Sequence, residues 1–96
     1  MRLSEDGVAE ALADLPGWTY ENGAIRKGYV FKGFKAAVGF IDRLAVEAHE
    51  AKHHPDLFNS YNRVVVSLTT HDEGGVTEKD VALARAIESV ADPSGT

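Results

Sequence analysis

Residues 18–31 read Trp18-Thr19-Tyr20-Glu21-Asn22-Gly23-Ala24-Ile25-Arg26-Lys27-Gly28-Tyr29-Val30-Phe31. Two runs with strand-forming aromatic and β-branched side chains, Trp18–Glu21 and Ala24–Phe31, flank Asn22-Gly23. The hairpin turns that suit the natural twist of strands need positive φ at both central residues, and Asn and Gly tolerate that conformation best. The stretch therefore predicts a strand, a tight turn and a returning strand. Further along, Phe58–Tyr61 and Arg63–Thr70 predict a second pair of short strands joined near Asn62. In the longer of these, alternation puts Val64, Val66 and Leu68 on one side and Ser67, Thr69 and His71 on the other.

Helical patterns surround and separate the two hairpins. Ser4 is placed to cap a first helix, with Glu5 and Asp6 in the turn where the helix dipole favours anions. Val8, Ala11, Leu12 and Leu15 follow at helical spacing until Pro16-Gly17 ends the run. A long helix begins near Phe34 with the stripe Phe34, Ala37, Val38, Ile41, Leu44, Ala45 and Ala48. Pro55 biases His54 toward extended backbone, so this helix is expected to end at about His53. A third helix opens with Thr77 as N-cap and Asp80 three residues on, a variant of the capping box, with Val76 and Val81 as the hydrophobic staple. Leu83, Ala84, Ile87, Val90 and Ala91 supply its buried stripe, and Asp92–Thr96 reads as a frayed tail. The order α-β-β-α-β-β-α predicts an α+β domain spanning residues 1–96. In it a four-stranded antiparallel sheet carries helices on one face and leaves the other to water or a second subunit.

The 96 residues allow one modest core, burying about two-thirds of the unfolded chain's surface. With 44% hydrophobic and 26% charged residues, the composition is that of an ordinary globule rather than a disordered or fibrous chain. A net charge of −5 argues against a nucleic-acid or anionic-membrane surface. No stretch approaches the roughly 20 apolar residues that a membrane span needs. Met1-Arg2-Leu3-Ser4-Glu5-Asp6 turns acidic before an apolar segment can form, which does not suit a signal peptide and points to the cytoplasm. With no cysteine, disulfides, thiolate metal sites and thiol nucleophiles are excluded, and the four histidines are the most reactive groups in the chain.

Three of these histidines, His49, His53 and His54, sit at the end of the long helix, and His71 ends the last strand. Imidazole gives and takes protons near neutral pH, so the group suits an acid–base site without metal or cofactor. A histidine at a helix C-terminus is also simply favourable with the dipole, a purely structural use. A third use is suggested by His49-Glu50-Ala51-Lys52-His53, which spells H-E-x-x-H, the string that on a helix holds zinc through both histidines. Against it, Pro55 ends the helix almost at once, and Asp56 stands where the extended form of that motif needs Gly.

His53-His54-Pro55, Phe58-Asn59-x-Tyr61-Asn62, Thr69-Thr70-His71 and Asp80 together resemble the pterin-4a-carbinolamine dehydratases. Gly17-Trp18 and Phe31-Lys32-x-Phe34-x-x-Ala37-x-Gly39-Phe40 also match the family's pattern. The likeness runs from about Trp18 to Val90, and several separated blocks in order make it far more specific than a five-residue zinc string. The resemblance implies the same α+β fold, dimers that pair into tetramers, and a lyase that dehydrates 4a-hydroxytetrahydropterin to quinonoid dihydropterin. That reaction serves aromatic amino-acid hydroxylases in pterin recycling. It further implies His53 and His71 as the acid–base pair, His54 as a residue that holds substrate, and Lys52, Thr69 and Thr70 as flanking the pterin. Regular alternation would leave Thr70 to reach the ligand through backbone alone.

The chain departs from the family at His49, where many members carry Glu, and at Lys52 and Leu57, often Asp and Trp in animal members. His49 and Asp80 are possible modulators of the site, Asp80 being expected first as a cap on Thr77. The H-E-x-x-H string exists only because His49 occupies the Glu position. Two other functions compete with the dehydratase: a non-catalytic pterin- or protein-binding dimerisation module, and a small zinc hydrolase.

Overall fold

The computed structural model describes residues 1–91, and the expected frayed tail at 92–96 lies outside them. The elements are α1 (Glu5–Leu12), β1 (Thr19–Glu21), β2 (Ala24–Val30), α2 (Phe34–Ala51), β3 (Asp56–Ser60), β4 (Arg63–Leu68), a 3-10 turn at His71–Glu73, and α3 (Glu78–Val90). The order is the expected one. Strands run β1-β2-β4-β3, antiparallel throughout, with β2 and β4 in the centre. No helix among the described residues is long and apolar enough to cross a membrane.

Local chemistry sets the ends of these elements. Ser4 caps α1 by accepting from the Gly7 N–H at 3.0 Å. Asn22 and Gly23 both take positive φ, 53° and 77°, which turns β1 into β2 with the hand that matches strand twist. The second hairpin turns at Tyr61-Asn62, where Tyr61 takes φ 52°. The Asn59 amide donates across that turn to the Arg63 carbonyl at 2.9 Å. Asn62 then exchanges bonds with Phe31, donating from its side chain (3.1 Å) and accepting the Phe31 N–H on its carbonyl (2.8 Å). Each hairpin is thus closed by its own turn residues and tied to the other.

On the covered side of the sheet, Ile25, Lys27 and Tyr29 of β2 stand opposite Leu68, Val66 and Val64 of β4. The three β4 side chains are fully buried beneath Ala37, Phe40, Leu44 and Ala48 of α2 and Leu83, Ala84 and Ile87 of α3. The α2 stripe differs from the expected one: Phe40 is buried, while Phe34 is 54% exposed and Ala45 faces solvent. The line 37-40-44-48 stays closer to one meridian of a 3.6-residue helix than the wider set read from hydrophobicity. Phe40 anchors it by packing on Tyr29 and Phe31, with ring centroids 4.8 and 5.0 Å away.

Strand β4 also ends earlier than expected. Thr70 leaves it to pair with Gly75 through bonds of 2.9 and 3.3 Å, so His71 opens a 3-10 turn instead of ending a strand. The alternation that would have put His71 on the face of Ser67 and Thr69 stops at Leu68. On the uncovered side of the sheet, Val30 and Phe58 remain 69% and 58% exposed.

Lys27 and Tyr29 carry polar ends into the covered side, and α3 meets them with Glu88. One carboxylate oxygen, Oε2, accepts from Lys27 Nζ at 2.7 Å, from Trp18 Nε1 at 3.2 Å and from the Tyr29 hydroxyl. Burial alone would raise the Glu88 pKa, but the bonds from Lys27 and Tyr29 and the Lys27 charge outweigh it and hold it below the ordinary value. For Tyr29, burial, then the bond to Glu88 and its negative charge push the phenol well above its usual range. The signs follow from linkage. Glu88 contributes stability that is present above about 4.5 and is lost as pH falls through its lower folded value. Tyr29 contributes stability that is full below about 10 and is lost above it, where an unfolded tyrosine ionises. Glu88→Gln is expected to cost about 2 kcal/mol at neutral pH and to flatten the acid limb. Thermal melts of both proteins across pH check this.

Candidate active site

A cleft of about 320 Å³ gathers Lys52, His53, His54, Thr69, Thr70 and His71, the residues singled out in the sequence as catalytic or substrate-binding. Asp72 and Lys79 complete its lining. A larger groove of about 520 Å³ lies between α1 and α3, but its wall of Leu3, Glu10, Val81 and Arg85, among others, holds no histidine.

The end of α2 builds one wall. Lys52 turns into the left-handed region, φ 55° and ψ 37°. The N–H groups of Lys52 and His53 fall back on the carbonyls of His49 and Ala48, each at 3.2 Å. This is the double closing bond of a Schellman-type cap, and Pro55 prevents the chain from resuming the helix. The helix therefore ends at Ala51, two residues short of the expected His53. The early stop swings the His53 ring off the helix, so His49 and His53 do not occupy successive turns of one face as a zinc-binding H-E-x-x-H requires. His49 stays exposed on the last turn and outside the cleft lining. Among the described residues, no group of three His, Asp or Glu side chains is arranged to hold a metal ion.

His53 is instead held by Asp80. Its Nε2 lies 2.5 Å from Asp80 Oδ1, and Asp80 is wholly buried at the start of α3. The other carboxylate oxygen accepts from the Thr77 N–H at 2.9 Å and from the Thr70 hydroxyl at 2.7 Å. Thr77 passes its own proton to Thr70 Oγ1 at 2.8 Å and accepts the Lys79 N–H at 3.2 Å. Every donor in this chain has one direction, and no buried side-chain polar atom among the described residues is left without a partner. A carboxylate only accepts, so the His53 nitrogen facing it carries a proton and Nδ1 is left as the acceptor of the neutral ring. Asp80 is therefore both the cap expected from Thr77-x-x-Asp80 and the group that sets the tautomer of His53. The capping pattern was visible in the sequence, but its reach to His53 was not.

The remaining lining residues differ in how firmly they are held. The Thr70 side chain is spent on Asp80 and Thr77, so it offers the cleft its backbone. Thr69 donates its hydroxyl to the Gly23 carbonyl at 2.8 Å, tying the first hairpin's turn to the rim. His54 and His71 are exposed at the mouth. Asp72 and Lys79 were missed in the sequence, although each directly adjoins a residue that was found, His71 and Asp80.

The match to known proteins follows the same lines. Residues 1–90 match the family described as pterin 4 alpha carbinolamine dehydratase. The chain belongs to that family. The match takes in α1 as well, beyond the Trp18–Val90 span of the resemblance read from motifs. A relative from Thermomicrobium roseum, provisionally named for the same dehydratase, is 47% identical over 90 residues, covering 94% of this chain and 97% of that protein. One from Chloroflexus aurantiacus with the same provisional name is 49% identical over 89 residues, covering 93% and 96%. The crystal structure of a transcriptional coactivator/pterin dehydratase from Brucella melitensis superposes with a TM-score of 0.92 at 44% identity, over 96% of this chain and all of that one. A pterin dehydratase-like protein identified as a RuBisCO assembly factor in the alpha-carboxysome gives a TM-score of 0.63 at 21% identity, over 77% and 86% of the two chains. At that identity the likeness speaks for the shared dehydratase fold alone.

Proposed function

We infer that this protein dehydrates a 4a-hydroxytetrahydropterin to the quinonoid dihydropterin by histidine acid–base catalysis. The observation that carries this reading is the His53–Asp80 pair at a cleft that His71 shares. Dehydration breaks the C4a–O bond and the N5–H bond and forms a C4a=N5 double bond. The leaving hydroxide takes a proton and departs as water, while N5 gives one up. His53, its Nε2 proton committed to Asp80, is suited to accept the N5 proton on Nδ1. His71, at the mouth, is suited as the protonated ring that serves the departing hydroxide. His54 and Lys52 hold the pterin, with Thr69 and Thr70 along its edge. Neither role calls for a metal or a redox cofactor.

In this reading the protein is a cytoplasmic homodimer or tetramer whose partner copies cover the apolar face around Val30 and Phe58. It returns pterin to the hydroxylation of aromatic amino acids. The test is the dehydration of freshly generated 4a-hydroxytetrahydropterin, followed by ultraviolet absorbance with and without a metal chelator. Acceleration over buffer that survives chelation is expected, with His71→Ala slower by about 10²-fold or more. A wild-type rate no faster than buffer would sink the enzyme reading in favour of a binding module. A rate abolished by chelation would bring back a metal.

A further inference from the structure

The two catalytic histidines are held in different ways. The His53 ring is fixed by a buried carboxylate, whereas the His71 side chain has no hydrogen-bond partner among the described residues. The position of His71 therefore depends on its backbone, the loop Thr70–Gly75. That loop closes on itself through the paired bonds between Thr70 and Gly75, with further bonds from Glu73 N–H to the Thr70 carbonyl (3.0 Å) and from Gly74 N–H to the His71 carbonyl (3.1 Å). Gly74 takes φ +76°, a conformation that favours glycine. One side of the loop faces the cleft.

Against the loop lie Arg2 and Leu3, just before α1. The Leu3 N–H donates to the Val76 carbonyl at 2.8 Å, where Val76 is buried directly after the loop. The Arg2 methylenes lie flat over Gly75: a Cβ there would stand 2.7 Å from Arg2 Cδ and 3.1 Å from Cγ. The Arg2 guanidinium reaches the Gly74 carbonyl at 3.5 Å, a long contact. Absence of a side chain at residue 75 is what allows this close approach.

We propose that Arg2 and Leu3 form a strap that positions His71 by clamping the Thr70–Gly75 loop from outside the cleft. This rests on the dehydratase reading. Arg2 touches no reacting atom, so it is a positioning residue, and its loss should appear in turnover rather than in binding. Displacing a catalytic group by about an ångström can cost up to roughly 10²-fold in rate.

The experiment measures kcat, KM and melting temperature for Arg2→Ala, Arg2→Lys, Gly75→Ala and the Arg2→Ala/Gly75→Ala pair. Arg2→Ala should lower kcat about tenfold with KM within about twofold, and Arg2→Lys, which keeps the methylenes over Gly75, should restore most of the rate. Gly75→Ala should slow turnover by pushing the strap away. Adding Arg2→Ala to it should cause little further loss, because the same clamp has already gone. An unchanged kcat in Arg2→Ala, a loss that merely follows the fraction unfolded, or fully additive effects would overturn the proposal. The His71 ring also reports without any substrate, through its proton–carbon NMR signal. A shifted or split His71 signal in Arg2→Ala, with those of His49 and His54 unchanged, supports the strap, and an unmoved His71 signal overturns it. Wild-type turnover no faster than buffer would count against the dehydratase reading alone, leaving the strap to be judged by that signal.

Discussion

His53→Ala is expected to lower the dehydration rate by about 10²–10⁴-fold, the usual contribution of one general acid or base. It should also destabilise the fold, because the ring is the only partner of Asp80 Oδ1 among the described residues and that carboxylate is wholly buried. Leaving one buried acceptor unpaired costs about 1–3 kcal/mol. The two effects can be separated with His53→Gln. A glutamine amide can donate to Asp80 and recover much of the stability, but it cannot take a proton from the substrate. Rapid-mixing absorbance gives the rate, and thermal denaturation gives the stability. Recovery of both by glutamine would show that His53 acts only as a packing and hydrogen-bonding residue.

Asp80 should show the largest combined effect in the chain. Asp80→Ala removes the partner of three donors at once: the His53 ring, the Thr70 hydroxyl and the Thr77 N–H. Breaking a buried, charged network of this kind costs about 3–5 kcal/mol, against a total of about 5–15 kcal/mol for a domain. A large fall in melting temperature is expected, so this variant tests stability alone. Asp80→Asn keeps the shape and one acceptor oxygen. With that oxygen retained by Thr70 and Thr77, the amide group turns a donor toward His53 Nε2. The neutral ring must then move its proton to Nδ1 and lose its acceptor toward the cleft. A wrong tautomer of this kind costs about 10²–10⁴-fold in rate with the geometry otherwise kept. Nitrogen NMR of His53 reads the tautomer directly. An Asp80→Asn protein with wild-type turnover, or with the proton still on Nε2, would remove Asp80 from the mechanism.

How far the site could be read in advance differs residue by residue. His53, His54 and His71 stand out because imidazoles are few and clustered, and Lys52, Thr69 and Thr70 follow from the blocks around them. All six line one cleft. Asp80 was visible as a cap from its spacing to Thr77, but the capping pattern is local and says nothing of a residue 27 positions earlier in the chain. Lys79 and Asp72 carried no pattern of their own. The Glu88 cluster was equally silent, since Trp18, then Lys27 and Tyr29 of β2, and Glu88 of α3 converge from three separate segments.

The same division holds for the fold. Asn22-Gly23, Ser4, Thr77 and Pro55 act through bonds and steric limits within a few residues, so the turns, caps and element order are present in the chain before it packs. Choices between nearly equal local alternatives needed neighbours. Phe40 replaced Phe34 on the buried face of α2 because Tyr29 and Phe31 lie beneath it. Thr70 left β4 because Gly75 offered it a paired backbone, which carried His71 out of the strand and into the loop under Arg2. Interactions that close over a few residues can be read from order and spacing alone. A proton's place on His53 or the position of His71 depends on groups that meet only when the sheet and helices are assembled.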